Sequence, residues 1–371
     1  MPNNIYKDAR TIFILCKIVG ITSLKNIFSG KLVFKWGIHC TGPIISFFIH
    51  CYTMHWSVNA NPTPPNSRYW FYFVTVKEFS RMISILHSDK HIPSIIENIY
   101  KFDLEYIPLD NQPCKKPKYF LKIYFILSII VHTCNVLEVI INGFSMITLT
   151  KILSKCVTLM FPIPYFFLCH ELCVRFQSLK LRWQTKMAEI FKANITDIVY
   201  QNMELERLAH AKLCDLVDNI RLAFGFQITT FLFFIFLEHL GRFYFHIYML
   251  PAFVANHPYI SESFLDILQP YMFLINTWIC IYLIAYMSDL LTESSKSIIS
   301  DLRNIPIWKL PHFCNEQVEI FLSQVKNSNT EITASGLFVI NKTLLSSIVM
   351  SLATYIIVLI QLSQDIGKVL T

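Results

Sequence analysis

A chain of 371 residues with 54% hydrophobic and only 15% charged residues has too little polar surface for a water-soluble protein, whose charged share is ordinarily about 25%. The formal charge of +7 does not mark a nucleic-acid binder, because the Lys and Arg residues lie between apolar runs and not in one patch. No glycine-rich phosphate loop, nucleophile elbow or His-Glu-x-x-His helix occurs, so enzyme chemistry is not expected, nor is a metal or cofactor.

Crossing a bilayer takes about 20 apolar residues in a helix, and seven stretches qualify. The N-terminal segment, residues 1–31, contains a short apolar run at 11–16 that is broken by Lys17 and followed by no small-residue cleavage site, so it is not read as a signal peptide. The first span, residues 32–54, would then serve as the insertion signal. The second covers 69–86, the third 119–142 and the fourth 152–174. The fifth runs over 222–250, the sixth over 264–286 and the seventh over 340–362. The expected fold is therefore all-α, an integral membrane protein of seven transmembrane helices.

Loop charge orients these helices. Segments 1–31, 87–118, 175–221 and 287–339 hold five, five, eight and four Lys and Arg, whereas the opposite side offers Arg68 and Lys368, with Lys151 at a boundary. The N-terminus is expected in the cytoplasm and the C-terminus outside. G-protein-coupled receptors have the opposite orientation, and their Asp/Glu-Arg-Tyr and Asn-Pro-x-x-Tyr marks are absent. A transporter is a weaker alternative, since the sequence shows no internal repeat. The sequons Asn194-Ile195-Thr196 and Asn341-Lys342-Thr343 fall on the cytoplasmic side or at its edge and should carry no glycan.

Between spans four and five, Leu205, Leu208, Leu213, Leu216, Ile220 and Phe224 recur at near-helical spacing, so the fifth helix is expected to begin well before the bilayer. Residues 315–328 form an amphipathic pattern through Val318, Phe321, Leu322 and Val325. The eleven cysteines make no CxxC pair and mostly sit in apolar runs as small hydrophobes. Cys169 and Cys173 share a helix face, but no histidine at ligand spacing completes a metal site.

In the seventh span Thr343, Ser347, Ser351, Thr354, Val358 and Gln361 step by four, four, three, four and three, drawing one stripe down a face that is otherwise Leu, Ile, Val and Met. Small polar residues in lipid either bring helices into close contact or line a water-filled path, and the stripe alone is compatible with both.

The run Thr354-Tyr355-Ile356-Ile357-Val358-Leu359-Ile360-Gln361-Leu362 resembles the C-terminal signature of insect gustatory receptors, Thr-Tyr, five apolar residues, then Gln-Phe. Glu293-Ser294-Ser295-Lys296, Val318-Glu319-Ile320-Phe321, Ala334-Ser335-Gly336-Leu337-Phe338-Val339-Ile340-Asn341 and the segment 208–226 are similar to blocks of that family. The resemblance implies a ligand-gated cation channel of four identical or mixed subunits, in the plasma membrane of chemosensory neurons, opened by a small-molecule tastant. It also implies that Val358, Gln361 and Leu362 form the constriction, continued by Thr354, Ser351 and Ser347, with Thr354, Tyr355 and Gln361 as the family motif. The organisation that follows is a cytoplasmic segment 1–31, a bundle 32–286 with a ligand site in its outer half, a cytoplasmic anchor 287–339, and a pore helix with a short extracellular tail, 340–371. Partners are then the tastant, membrane lipids and permeant cations, with no nucleic acid. Leu362 stands where the family has Phe, and Ile356 where its sugar-receptor branch carries Glu, which favours a bitter plant compound over a sugar or polyol.

Ligand-contact candidates are polar and aromatic groups in the outer halves of the spans. They are Gln269, Met272 and Asn276 in span six, His239, Arg242 and His246 in span five, Trp70 and Phe73 in span two, and Glu138 and Asn142 in span three. Bland roles compete at several of them: Trp70 suits a membrane-interface belt, Arg242 can pair with Glu238 four residues earlier, and the histidines can bond between helices.

Overall fold

The computed structural model describes residues 5–18, 21–25, 27, 32–34, 41–60, 65–106, 124, 126, 128, 133, 155, 157–193, 197–244, 264–306, 310 and 312–370. Among these, helices α1 (Ile5–Ile18), α2 (Thr41–Ala60), α3 (Pro65–Tyr106), α4 (Ile163–Ala193), α5 (Asp197–Tyr244), α6 (Phe264–Lys296), α7 (Ile299–Arg303), α8 (His312–Asn327) and α9 (Thr343–Leu370) make up the fold. Among the described residues, strand-like pairing is confined to two isolated bridges, Lys25 with Val33 and Thr333 with Val339. By length and apolarity alone, four described segments can cross a membrane: Val157–Ala188, Met203–Tyr244, Tyr271–Arg303 and Thr343–Leu362.

Burial differs sharply between these segments. In Val157–Ala188, 94% of the most apolar window is buried, and Tyr165, Phe166, Phe167, Leu168 and Cys169 are all fully covered in sequence. A helix apolar on every side belongs at the centre of a bundle. α4 sits there, with α5 and α6 packed on it, and Tyr165 reaches Ser288 of α6 at 2.6 Å. α3 and α5 are the long outer pair. Lys77 meets Glu238 and His87 meets Leu222, so the two run antiparallel.

The elements differ from the expected spans in two places, and the fifth helix begins early as expected. Residues 32–34 are extended, with Val33 paired to Lys25, so the first described helix of that span starts at Thr41. α3 does not stop at residue 86 but continues through Pro93 to Tyr106, and its lower part buries Ile92, Ile95, Ile96, Ile99 and Phe102 at helical spacing. α5 carries the 205–224 pattern and span five on a single rod of 48 residues. The expected amphipathic helix is α8, whose Val318, Phe321 and Val325 are buried, with Phe321 edge-on to Trp183 at 5.5 Å.

The apolar N-terminal run is a docked amphipathic helix. Ile5, Ala9, Phe13 and Cys16 of α1 lie at 1% exposure or less against α3 and α4. Burying side chains such as Ile5 and Phe13 is worth about 1.5–3 kcal/mol each. The chain after α1 is pinned by a buried carboxylate: Asp89 accepts from the Ser23 N–H at 2.5 Å, the Ser23 hydroxyl at 2.8 Å and the Thr22 hydroxyl at 3.0 Å. Burial pushes Asp89 up to about 6, against the pull of these three donors.

Lower in the bundle α4 presents Glu171, Arg175 and Arg182 along one side. Arg175 makes a two-pronged contact with Asp103 of α3 at 2.7 and 2.5 Å, and a 3.0 Å contact with Glu171. Arg182 bonds Glu206 of α5 at 3.0 Å and also donates to the Tyr106 carbonyl. All of these groups are buried, and each charge has its partner, which is what a low-dielectric interior requires.

Candidate functional site

α9 is the most apolar of the four segments and the least covered: only 6% of its most apolar window is buried in the single chain. Leu352 is turned inward, with Leu344, Leu345 and Ile348 half-buried beside it, and Tyr355 touches Phe236 of α5 edge-on at 6.0 Å. Ser347, Ser351, Thr354, Val358, Gln361 and Leu362 are all exposed, as are Met350 and Ile357. The Ser347 hydroxyl donates to the Thr343 carbonyl at 3.3 Å and the Thr354 hydroxyl to the Met350 carbonyl at 3.0 Å, both within α9. Among the described residues neither hydroxyl binds another helix, and both keep acceptor capacity toward whatever covers this face.

The base of α9 is held from two sides. The Lys342 backbone N–H donates to Asp289 at 2.9 Å, and its ammonium group lies 3.6 Å from Glu293 and 5.5 Å over the Tyr286 ring. Before it, residues 333–339 close a hairpin whose turn places Ser335 and Gly336 at positive φ of 52° and 76°. That hairpin rests on Gly225 of α5, where an added Cβ would stand 3.1 Å from the Ser335 nitrogen and 3.3 Å from the Thr333 oxygen. Glycine allows the approach. Two of the sequence blocks singled out above, 208–226 and 334–341, are thereby brought into contact.

Two further buried polar groups lie on α5 and α6. His239 is 1% exposed and Asn276 is 2% exposed, and both ring nitrogens of the one and both amide atoms of the other lack a hydrogen-bond partner. Aromatic rings flank the histidine: Trp278 stands 5.6 Å and Phe243 6.3 Å from His239. A buried polar group left unpaired costs about 1–3 kcal/mol, so groups of this kind are places where a ligand bearing hydrogen-bonding groups gains affinity. A small cleft, with a volume of about 20 Å³, runs between α3, α5 and residues 158–161, lined by Lys77, Arg81, Thr158, Phe161, Thr230 and Phe234. Phe73 borders it through an edge contact to Phe234 at 5.9 Å.

The remaining candidates divide. Met272 packs on Leu159 and Phe273. Arg242 pairs with Glu238 at 2.7 Å and lies 5.5 Å over the Phe273 ring, so its charge is engaged within the protein. Glu238 also takes Lys77 at 2.8 Å and so joins α3 to α5. Trp70 and Gln269 lie on α3 and α6, with side chains outside the described set; His246, Glu138 and Asn142 fall outside the described residues. Lys77, Glu78 and Arg81 were passed over in the sequence, although three charges within one apolar span are a signal of buried function or pairing.

The family model described as 7tm chemosensory receptor matches residues 9–366. No curated protein matches the sequence. Among solved structures, the insect olfactory receptor OR5 from Machilis hrabei superposes with a TM-score of 0.63 at 13% identity, over 96% of this chain and 98% of that one. The same receptor in complex with eugenol gives a TM-score of 0.60 at 14% identity with the same coverage.

Proposed function

The chain belongs to the 7tm chemosensory receptor family, and on that premise we propose that it is a gustatory-type receptor, one subunit of a ligand-gated, non-selective cation channel. Four copies would surround a central pore lined by α9, with the N-terminus in the cytoplasm of a chemosensory neuron and the ligand site in the outer half of the bundle. The observation that carries this reading is the mismatch on α9. The most apolar segment is the least buried, and it bears a polar stripe on its exposed side. A helix facing lipid all round gains nothing from Ser347, Ser351, Thr354 and Gln361. A helix with one side toward water and the other toward protein and lipid needs them.

For the ligand, His239, flanked by aromatic rings, and the buried amide of Asn276 offer donors and acceptors, which suits a small, uncharged molecule with a planar apolar body and a hydroxyl or ether group. Eugenol, held by the Machilis hrabei receptor, is a compound of that chemistry. Plant phenols and alkaloids fit this description better than sugars, whose many hydroxyls would exceed the polar groups available.

Current recordings from cells expressing the chain, against a panel of plant phenolics, alkaloids and sugars, test the reading. His239→Ala and Asn276→Ala are expected to raise the half-effective concentration of an activating compound about tenfold with surface protein unchanged, the effect of losing one buried hydrogen bond. Curves that coincide with the wild type for every active compound would remove these residues from the site.

A further inference from the structure

The geometry points to a second binding site, for a borderline divalent transition-metal ion such as Zn²⁺, between His87 and His91 on α3. The two residues are one helical turn apart, and their rings stand on one face with centroids 5.2 Å apart. An ion bound at tetrahedral angle by two imidazole nitrogens about 2.0–2.1 Å away would hold the ring centroids about 5 Å apart, so the rings already have the required separation.

Helix α5 sets the tautomer of one of the two rings. His87 Nε2 lies 3.3 Å from the Leu222 carbonyl of α5, and a carbonyl can only accept, so this nitrogen carries the proton. His87 Nδ1 is then the lone-pair atom. A ligating histidine that donates its other N–H to a backbone carbonyl is the usual outer-shell arrangement of metal sites, fixing tautomer and ring together. His87 is exposed and His91 half-exposed, so an ion can enter. The remaining coordination positions fall to water, because no group of three or more His, Cys, Asp or Glu among the described residues is arranged to hold a metal. The site is therefore a reversible one.

Its position gives it consequence. The His87 ring meets Phe226 edge-on at 6.1 Å, and the next residue toward the N-terminus, Gly225, is the seat of the hairpin that leads into α9. An ion on the pair fixes the α3–α5 seam at that seat.

The test uses the full-length protein purified in detergent, titrated with Zn²⁺ and, in parallel, with Cu²⁺ followed by electron paramagnetic resonance. The wild type is expected to bind one ion on this pair with two-nitrogen coordination and to melt at higher temperature with Zn²⁺. His87→Ala and His91→Ala should each weaken Zn²⁺ at least about tenfold, the loss that even an outer-shell partner carries. His312→Ala, which removes a 90% exposed histidine beside Glu316, should change nothing. Equal affinity in the wild type and both variants overturns the site, as does one-nitrogen coordination in the wild type, a result that stands even where a variant fails to fold.

Discussion

Val358→Ser is expected to leave the channel conducting without ligand. In a four-fold assembly built on α9, four copies of Val358 and four of Leu362 would face one another across the axis and expel water, while Gln361 would meet ions once the ring dilates. Val358 and Leu362 are 42% and 54% exposed in the single chain, so each has surface available for such a ring. Four hydroxyls in place of four valines favour the wetted state. A net gain of about 1.4 kcal/mol across the ring, the scale of one hydrogen bond, raises the open population about tenfold. The measurement is basal current normalised to surface protein. Ile357→Ser, one residue away on the helix surface and 55% exposed, is the control and should leave basal current at the wild-type level. If Gln361 and its neighbours only pack helices together, these substitutions change protein abundance and leave permeation alone.

Arg175→Ala is expected to remove most of the protein from the cell surface. The guanidinium is 3% exposed and satisfies two carboxylates on two helices, Asp103 and Glu171. Its loss leaves buried negative charge without compensation, at a cost of about 3–5 kcal/mol. Against a total stability of about 5–15 kcal/mol, that is enough to send most chains to degradation. Arg175→Lys keeps the charge but not the two-pronged geometry and should be intermediate. Arg175→Met combined with Asp103→Leu should recover part of the surface protein, because it removes one of the stranded charges along with its partner. Surface biotinylation across the three variants reads the order: Ala lowest, Lys and the double variant between it and the wild type.

The helices were legible in the sequence wherever a period was carried by many residues. The long rod of α5 followed from Leu205 to Phe224, and α8 from Val318 to Val325, because each buries one stripe against the core. α1 shows in the sequence as a short apolar run ended by Lys17, although Ile5, Ala9, Phe13 and Cys16 carry the spacing of an amphipathic helix. The pairings between helices were not legible. That Arg175 chooses Asp103, or Glu238 takes Lys77, depends on the relative height of helices 72 to 161 residues apart in sequence, which no local pattern encodes, whereas the Glu238–Arg242 pair is given by its four-residue spacing. The same limit applies to the ligand groups: His239 and Asn276 could be named from the sequence as polar residues in apolar spans, but their lack of partners is a property of the packed bundle. On α9 the stripe was visible, and its exposure became clear only once α5 and α6 were seen to cover the opposite side.

The central claim, that the stripe of α9 faces an ion pathway, is tested most directly by introducing single cysteines at 347, 351, 354, 358 and 361 and at the inward-facing 352. α9 contains no native cysteine. A membrane-impermeant thiol reagent is applied from outside, either before ligand is added or during ligand-evoked currents. The account predicts rapid loss of current at 358 and 361, loss at 347, 351 and 354 only when ligand is present, and no change at 352. Modification that leaves current intact at all five stripe positions, while ligand still opens the channel, would contradict it.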